Sequence, residues 1–523
     1  MGRNFKSACH TCRRRRLRCD EAKPHCQRCA AEGVECLGYG NLILWVDGVA
    51  SRGNMMGKTF SEGSTAPTSS NQVAPTAASR AVTSNHVSTY HPQQESQAQA
   101  SPTQSNLCSS LLDPWLQQMD YNTRHYLTHF LTNVGNDLIV HNLPSHKPNP
   151  LRVLLEFSEQ SSALFNIIIA MSAHHQHNLL LGTPDAHNHH VHGLLRKGRA
   201  LQLLGQELTN LSPANYTSLL ASSMLLAELA LLELGDDSWR IHLGAAASLV
   251  RGITMSCSSV APEGMGVEAS AFCSWMISRL VIQDMFGSSL SATTANYDLQ
   301  EVWGPGRGID RALRIAELDH YSSCPAQISQ LILIASELSN TASSDSSCYD
   351  DHGCDRGAQC IFLSIQQFDP REWALTLQRR TPTDDFTERY HVASAYKAAA
   401  ALYIAQIIPN DQTCPHRPTR PPSLVNEILH HVSLIPQSNP LFKSSIWPIC
   451  IAGAETIDSQ HRATVLSHLR TLAIAIPWQS TYGAEQGMKQ FWERIDALPE
   501  HESHGTRRWL DEFRSMGVSI YPA

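Results

Sequence analysis

The chain lacks the sequence marks of the common catalytic folds. No P-loop, dinucleotide fingerprint or nucleophile elbow occurs in its 523 residues. Strand-like alternation is scarce, which sets aside barrels and sandwiches. The opening "MGRNFKSACHTC" has no apolar h-region, so no cleavable signal peptide is expected. Its fifteen cysteines are therefore expected in a reducing compartment, where clustered thiols are more often metal ligands than bridges. One run, "TSLLASSMLLAELALLEL" at 217–234, is nearly long enough to span a bilayer. Glu228 and Glu233 interrupt it, each costly in hydrocarbon, so it reads as a buried core helix and no membrane span is expected.

What is present separates into zones. Residues 1–40 hold nine Lys and Arg against four Asp and Glu, whereas the whole chain holds 40 and 47. A basic head on an acidic body points to a polyanion partner for the head alone. This head has no apolar periodicity, so a metal must stand in for a core. Residues 41–110 form a docking segment ("YGNLILWVDGVASRGNMMGK") followed by a Ser/Thr/Gln/Pro-rich stretch expected to be a disordered tether. From about 111 to 523 the pattern is that of one large all-α domain. In "YNTRHYLTHFLTNVGNDLIV", Tyr126, Leu127, Phe130, Leu131, Val134 and Leu138 mark one helix face. Similar segments recur near 161–181, 190–208, 217–234, 239–251, 389–408, 424–434, 461–475 and 486–497, and a polar, disordered excursion is expected at 340–360.

The cysteines of the head carry the most specific signal. Cys9, Cys12 and Cys19 recur as Cys26, Cys29 and Cys36, an offset of 17 at all three positions. The head is thus two copies of C-x-x-C-x6-C, each long enough for a short helix and a return. Two tetrahedral zinc ions need eight ligand positions, which six thiolates fill only if two of them bridge. The internal two-fold requires the bridging pair to be equivalent members of the two halves. One zinc would use four cysteines and strand two. His10 and His25 would complete eight separate ligands, but both abut cysteines, where one ion is hard to reach with good geometry. The repeat favours the binuclear cluster.

These six cysteines, the basic segment after Cys12, Asp20 and Pro24 resemble the fungal binuclear zinc cluster transcription factors. The resemblance implies two zinc ions per chain, with Cys9 and Cys26 as the bridging thiolates, and a loop turned by Pro24. It implies DNA binding through the major groove, with Arg15 and Arg16 reading CGG-type triplets and Arg13 and Arg18 holding the backbone. Arginine suits this task, because its two parallel donors match O6 and N7 of guanine, while neighbouring arginines position the module on phosphates. "CLGYGNLILWVDGVASRGNMMG", "TRHYLTHFLTNVGNDLIV", "SWRIHLGAAASLV" and "IWPICIAGAET" further resemble the acriflavine-sensitivity-control subgroup of that family, which implies a C-terminal regulatory, partner-binding domain rather than a catalytic one. The segment 309–385 departs most from that pattern.

Other polar clusters are read as structural. His174, His175 and His177, and His187, His189, His190 and His192, lie in or between apolar segments without the carboxylate spacing of a helix-borne metalloenzyme. Cys348, His352, Cys354 and Cys360 sit in an uneven polar setting that does not suggest zinc. Trp239, Trp447 and Pro448 are expected to pack helices, and Arg124, His391 and Glu455 to form buried polar pairs. No run of three heptads follows Cys36, so the expected dimer contact, if the module works as a pair, is through the helical body. The sequence thus predicts a nuclear, zinc-dependent, non-enzymatic regulator of transcription that binds double-stranded DNA and transcriptional co-regulators. Its expected output is activation of a metabolic or secondary-metabolite gene cluster or a drug-response gene set. The alternative is a helical adaptor or small-molecule sensor whose cluster gives mainly nuclear retention and nonspecific DNA affinity.

Overall fold

A computed structural model describes residues 9, 11, 12, 15, 17–20, 22, 26–32, 34 and 36 of the head, and then 118–140, 150–212, 214–256, 267–291, 308–344, 360–380, 385–407, 421–497, 509–516, 520 and 521. The chain divides into two compact units, Met1–Gln97 and Ala98–Ala523. In the first, the described residues include the short helix α1 (Gln27–Ala31). The second begins with α2 (Tyr121–His129), α3 (Val153–Gln160), α4 (Ser162–Leu179), α5 (Pro184–Leu208), α6 (Tyr216–Glu233), α7 (Trp239–Ser256) and α8 (Val267–Gly287). It continues through α9 (Gly308–Asp319), α10 (Ala326–Ser344), α11 (Pro370–Arg380), α12 (Phe386–Ile407) and α13 (Pro421–Ser433). It ends with α14 (Ile446–Glu455), α15 (Ser459–Ala475), α16 (Gln479–Asp496) and α17 (Trp509–Met516). Among the described residues the only β pairing is an isolated bridge between Ile139 and His320.

Local chemistry starts these helices where side chains can satisfy unpaired backbone N–H groups. Asp120 accepts from the Thr123 N–H at 3.0 Å, Ser161 from Leu164 at 3.1 Å, and Asp458 from His461 at 2.8 Å. Pro184 opens α5, where a missing N–H is harmless.

The described residues of the helical unit form two apolar cores. The first gathers α2 to α8, with Trp239 1% exposed and its ring 5.0 Å from that of Tyr521. Gly287 lies against the same indole; a Cβ there would come within 2.5 Å of Trp239 Cη2, so only glycine fits without a shift. The second core centres on the fully buried Trp447 of α14. Its ring stacks on Tyr396 at 5.6 Å, and its Nε1 donates to Ser289 Oγ at 2.9 Å. Buried Pro448 follows it in the same helix.

α6 is apolar on nearly every face because it is buried along nearly its whole length. Glu228, one of the two acids that argued against a membrane span, is ion-paired with Arg279 of α8 and also accepts from Gln283 Nε2 at 2.6 Å.

The chain just after α2 joins the two cores. Lys443, between α13 and α14, donates to the carbonyl oxygens of Asn136 (2.6 Å) and Ile139, and Arg279 Nη1 donates to that of Leu138 at 2.6 Å. These are carbonyls at a helix end, where cations are favoured. Asp137 Oδ2 accepts from Trp478 Nε1 at 2.9 Å and lies 3.0 Å from His175 Nε2. A small cavity beside this junction is lined by Asp137, Tyr321, Lys443, Trp478, Ser480 and Thr481, among others.

Several expectations need correction. Residues 340–344, expected in a polar excursion, are instead helical, since α10 runs through to Ser344. Residues 345–359, with Cys348, His352 and Cys354, lie outside the described residues, and Cys360 is exposed. Arg124 is exposed rather than buried, because it lies on the outward side of α2. Glu455 is half-buried and does form polar pairs: it accepts from Trp509 Nε1 at 2.6 Å and Gln406 Nε2 at 3.2 Å. His391 is half-buried, with its Nδ1 2.9 Å from His431 Nδ1. α3, α8, α9, α10, α11, α14 and α17 are helices that the sequence reading did not mark.

Candidate metal centre and nucleic-acid interface

The thiols of the head come together as the 17-residue repeat requires. Cys9, Cys12, Cys26 and Cys29 are at most 2% exposed, with Cys19 and Cys36 partly buried against them. The Sγ separations are 3.6 Å for Cys9–Cys26, 3.8 Å for Cys9–Cys29, 3.7 Å for Cys12–Cys26 and 3.8 Å for Cys12–Cys29.

Backbone contacts repeat at the same offset. The N–H of Cys12 donates to Cys9 Sγ at 3.4 Å, and that of Cys29 to Cys26 Sγ at 3.3 Å. The N–H of Cys9 donates to Cys19 Sγ at 3.4 Å, and that of Cys26 to Cys36 Sγ at 3.3 Å. Leu17 N–H reaches Cys12 O at 2.9 Å, and Val34 N–H reaches Cys29 O at 3.0 Å. The module is a two-fold object built from one short repeat.

Two groups of four thiols have their sulfurs mutually within 4.8 Å: Cys9, Cys12, Cys19 and Cys26, and Cys9, Cys26, Cys29 and Cys36. Cys9 and Cys26 belong to both. A tetrahedron with Zn–S bonds of about 2.3 Å has sulfur–sulfur edges of roughly 3.8 Å, so the 3.6–3.8 Å spacings within these groups suit zinc. Burial pushes the Cys9 thiol up to about 12 and raises that of Cys12. Such crowded thiols ionise only with a strong local positive charge, which a dication supplies. Among the described residues of the helical unit, no comparable group of potential metal ligands occurs. His174 and His175 are buried, and His187 is exposed.

The basic segment runs out of the first half-repeat. Arg15 and Arg18 are exposed, whereas Arg13 and Arg16 lie outside the described residues. Arg15 Nη1 donates to Glu32 Oε2 at 2.6 Å. Asp20 Oδ2 accepts from the Gln27 N–H at 2.8 Å, at the start of α1, so this acid ties the first half to the second. The Arg15–Glu32 pairing is not evident from the sequence, where its only signal is the offset of 17 that relates the two residues.

The model described as the fungal Zn(2)-Cys(6) binuclear cluster domain matches residues 7–43, and the fungal specific transcription factor domain matches residues 125–522. The second match spans most of the chain, so this protein belongs to the fungal specific transcription factor family. It carries at its N-terminus a cluster domain of the kind that binds two zinc ions, and it is a transcription factor rather than an enzyme.

The chain is 25% identical to the acriflavine sensitivity control protein of Neurospora crassa, over 97% of its own length and 95% of that protein. It is 20% identical to the phomenoic acid biosynthesis cluster-specific transcriptional regulator of Leptosphaeria maculans, over 93% and 86%. It is 50% identical to the pestheic acid cluster transcriptional regulator 3 of Pestalotiopsis fici over 42 residues, 8% of this chain and 7% of that one. No solved structure matches the chain significantly.

Proposed function

We propose that the protein is a nuclear, sequence-specific DNA-binding regulator. Cys9, Cys12, Cys19 and Cys26 hold one zinc ion, Cys9, Cys26, Cys29 and Cys36 hold the other, and Cys9 and Cys26 bridge them. The observation that carries this reading is the pair of four-thiol groups sharing those two cysteines, set directly against an arginine run. Arg15 and Arg16 read guanines of CGG-type triplets, and Arg13 and Arg18 contact phosphates. The helical body recruits co-regulators and joins two copies; the exposed Val191, Leu194, Leu195, Leu201 and Leu208 on α5 support that role. Control of a biosynthetic gene cluster or a drug-response gene set is suggested by the names of the relatives, and activation is the sense of control we propose.

The test is binding of the full-length, zinc-loaded chain to duplexes with a CGG triplet or a scrambled one, at several salt concentrations. Preference for CGG is expected, and is lost on chelation or with Arg15→Ala plus Arg16→Ala. Equal binding to both duplexes at every salt concentration would reject sequence reading.

A further inference from the structure

The two halves of the cluster share a backbone but not a charge. At the offset of 17, Arg13, Arg14, Arg15, Arg16 and Arg18 correspond to Ala30, Ala31, Glu32, Gly33 and Glu35. At one of these positions the structure joins the two mates. Arg15 Nη1 donates to Glu32 Oε2 at 2.6 Å, while Glu32 Oε1 accepts from Arg28 Nε at 3.3 Å. Arg28 Nη1 in turn donates to the Arg18 carbonyl oxygen at 3.2 Å. The backbone N–H of Glu32 is fixed to Arg28 O at 3.1 Å, at the end of α1. The acid that holds Arg15 is itself anchored to the second half of the module.

The geometry points to Glu32 as a positioning residue for Arg15, one that sharpens discrimination between base sequences. This rests on the reading of Arg15 as a base contact. A free arginine loses much rotamer freedom when it docks; one already tied to a carboxylate loses less. A guanidinium has five N–H donors, so a single bond to Glu32 leaves four for a guanine edge. The carboxylate also repels phosphate, which disfavours the generic backbone contacts that a loose arginine would make. A guanine edge with two aligned acceptors can still compete. The pair is too exposed to contribute much to folding, so the cluster does not depend on it.

The experiment uses full-length, zinc-loaded protein and the same two duplexes, with Glu32→Gln, Arg15→Lys and the double variant. Glu32→Gln is expected to bind the scrambled duplex more tightly and to lower the CGG-to-scrambled affinity ratio by roughly five- to tenfold, with the zinc content unchanged. A variant that merely loosened the module would weaken both duplexes together. In the Arg15→Lys background, Glu32→Gln is expected to leave the ratio nearly unchanged, because the fork it positions is gone. An equal effect in both backgrounds, or an undiminished ratio in Glu32→Gln, overturns the assignment while leaving sequence reading intact. A wild-type chain with no CGG preference overturns both. Should Glu32→Gln lose zinc, Glu32→Asp decides: it keeps the charge but not the reach, so a reduced ratio is expected and a wild-type ratio rejects the role.

Discussion

Glu228 of α6 and Arg279 of α8 form an ion pair with both side chains 3% exposed, inside the first core. Taking one partner away leaves the other charged and buried. Glu228→Leu is therefore expected to destabilise the helical unit by about 3–5 kcal/mol. Adding Arg279→Met should recover much of that loss, since the desolvated charge goes with it. Urea unfolding followed by far-UV circular dichroism measures both, and a double variant no more stable than the single one would contradict the assignment.

The shared and terminal thiols of the cluster differ in consequence. Cys26→Ser removes a ligand common to both four-thiol groups, whereas Cys36→Ser touches only one. Metal analysis of the purified chains is expected to show zinc falling from about two per chain towards zero for the first and towards one for the second. Equal losses would argue against bridging. Chelation should abolish DNA binding while leaving the helical signal of the body largely intact, because that unit has apolar cores of its own.

Burial raises the Glu455 carboxyl to about 6, despite its hydrogen bonds from Trp509 and Gln406. A carboxyl raised in the folded state stabilises folding below its unfolded pKa, and that contribution disappears as pH climbs through the folded value. Stability should therefore fall between roughly pH 4.3 and 6 on account of this group. Glu455→Gln is expected to flatten that part of the profile and to be more stable at pH 7, by up to about 2 kcal/mol. Thermal melts across that range give the answer; a variant with an unchanged slope would assign the pH dependence elsewhere.

If α5 joins two copies, charges on its outward face should part them. Leu194→Glu with Leu201→Glu is expected to convert a dimer to a monomer in sedimentation while helicity is retained. These side chains are 43% and 41% exposed, so a charge placed there can reach water. A monomeric wild-type chain would remove the basis for body-mediated pairing.

Much of the cluster was legible because its information is local. An offset of 17 between cysteines can be read by subtraction, and an arginine run beside it needs no fold to be noticed. Helices with one apolar stripe, such as α2, were legible for the same reason. α8 was not, because it is buried against neighbours on several sides and its apolar residues show no single stripe. Nor could the sequence reveal who neutralises Glu228, since its partner lies 51 residues away. The Trp478–Asp137 hydrogen bond spans 341 residues. The spacing of Arg15 and Glu32 was available, but only the folded module shows that their side chains meet.

The contacts of Lys443 have a mechanical consequence. Its ammonium, buried and lowered to about 8 by desolvation, grips the carbonyl oxygens of Asn136 and Ile139 from the far side of the junction. Sliding one core past the other would strand that cation and two carbonyl oxygens where little water can follow. The helical body should therefore yield as a single stiff block. A push delivered to its early helices is carried to the late ones with little slack.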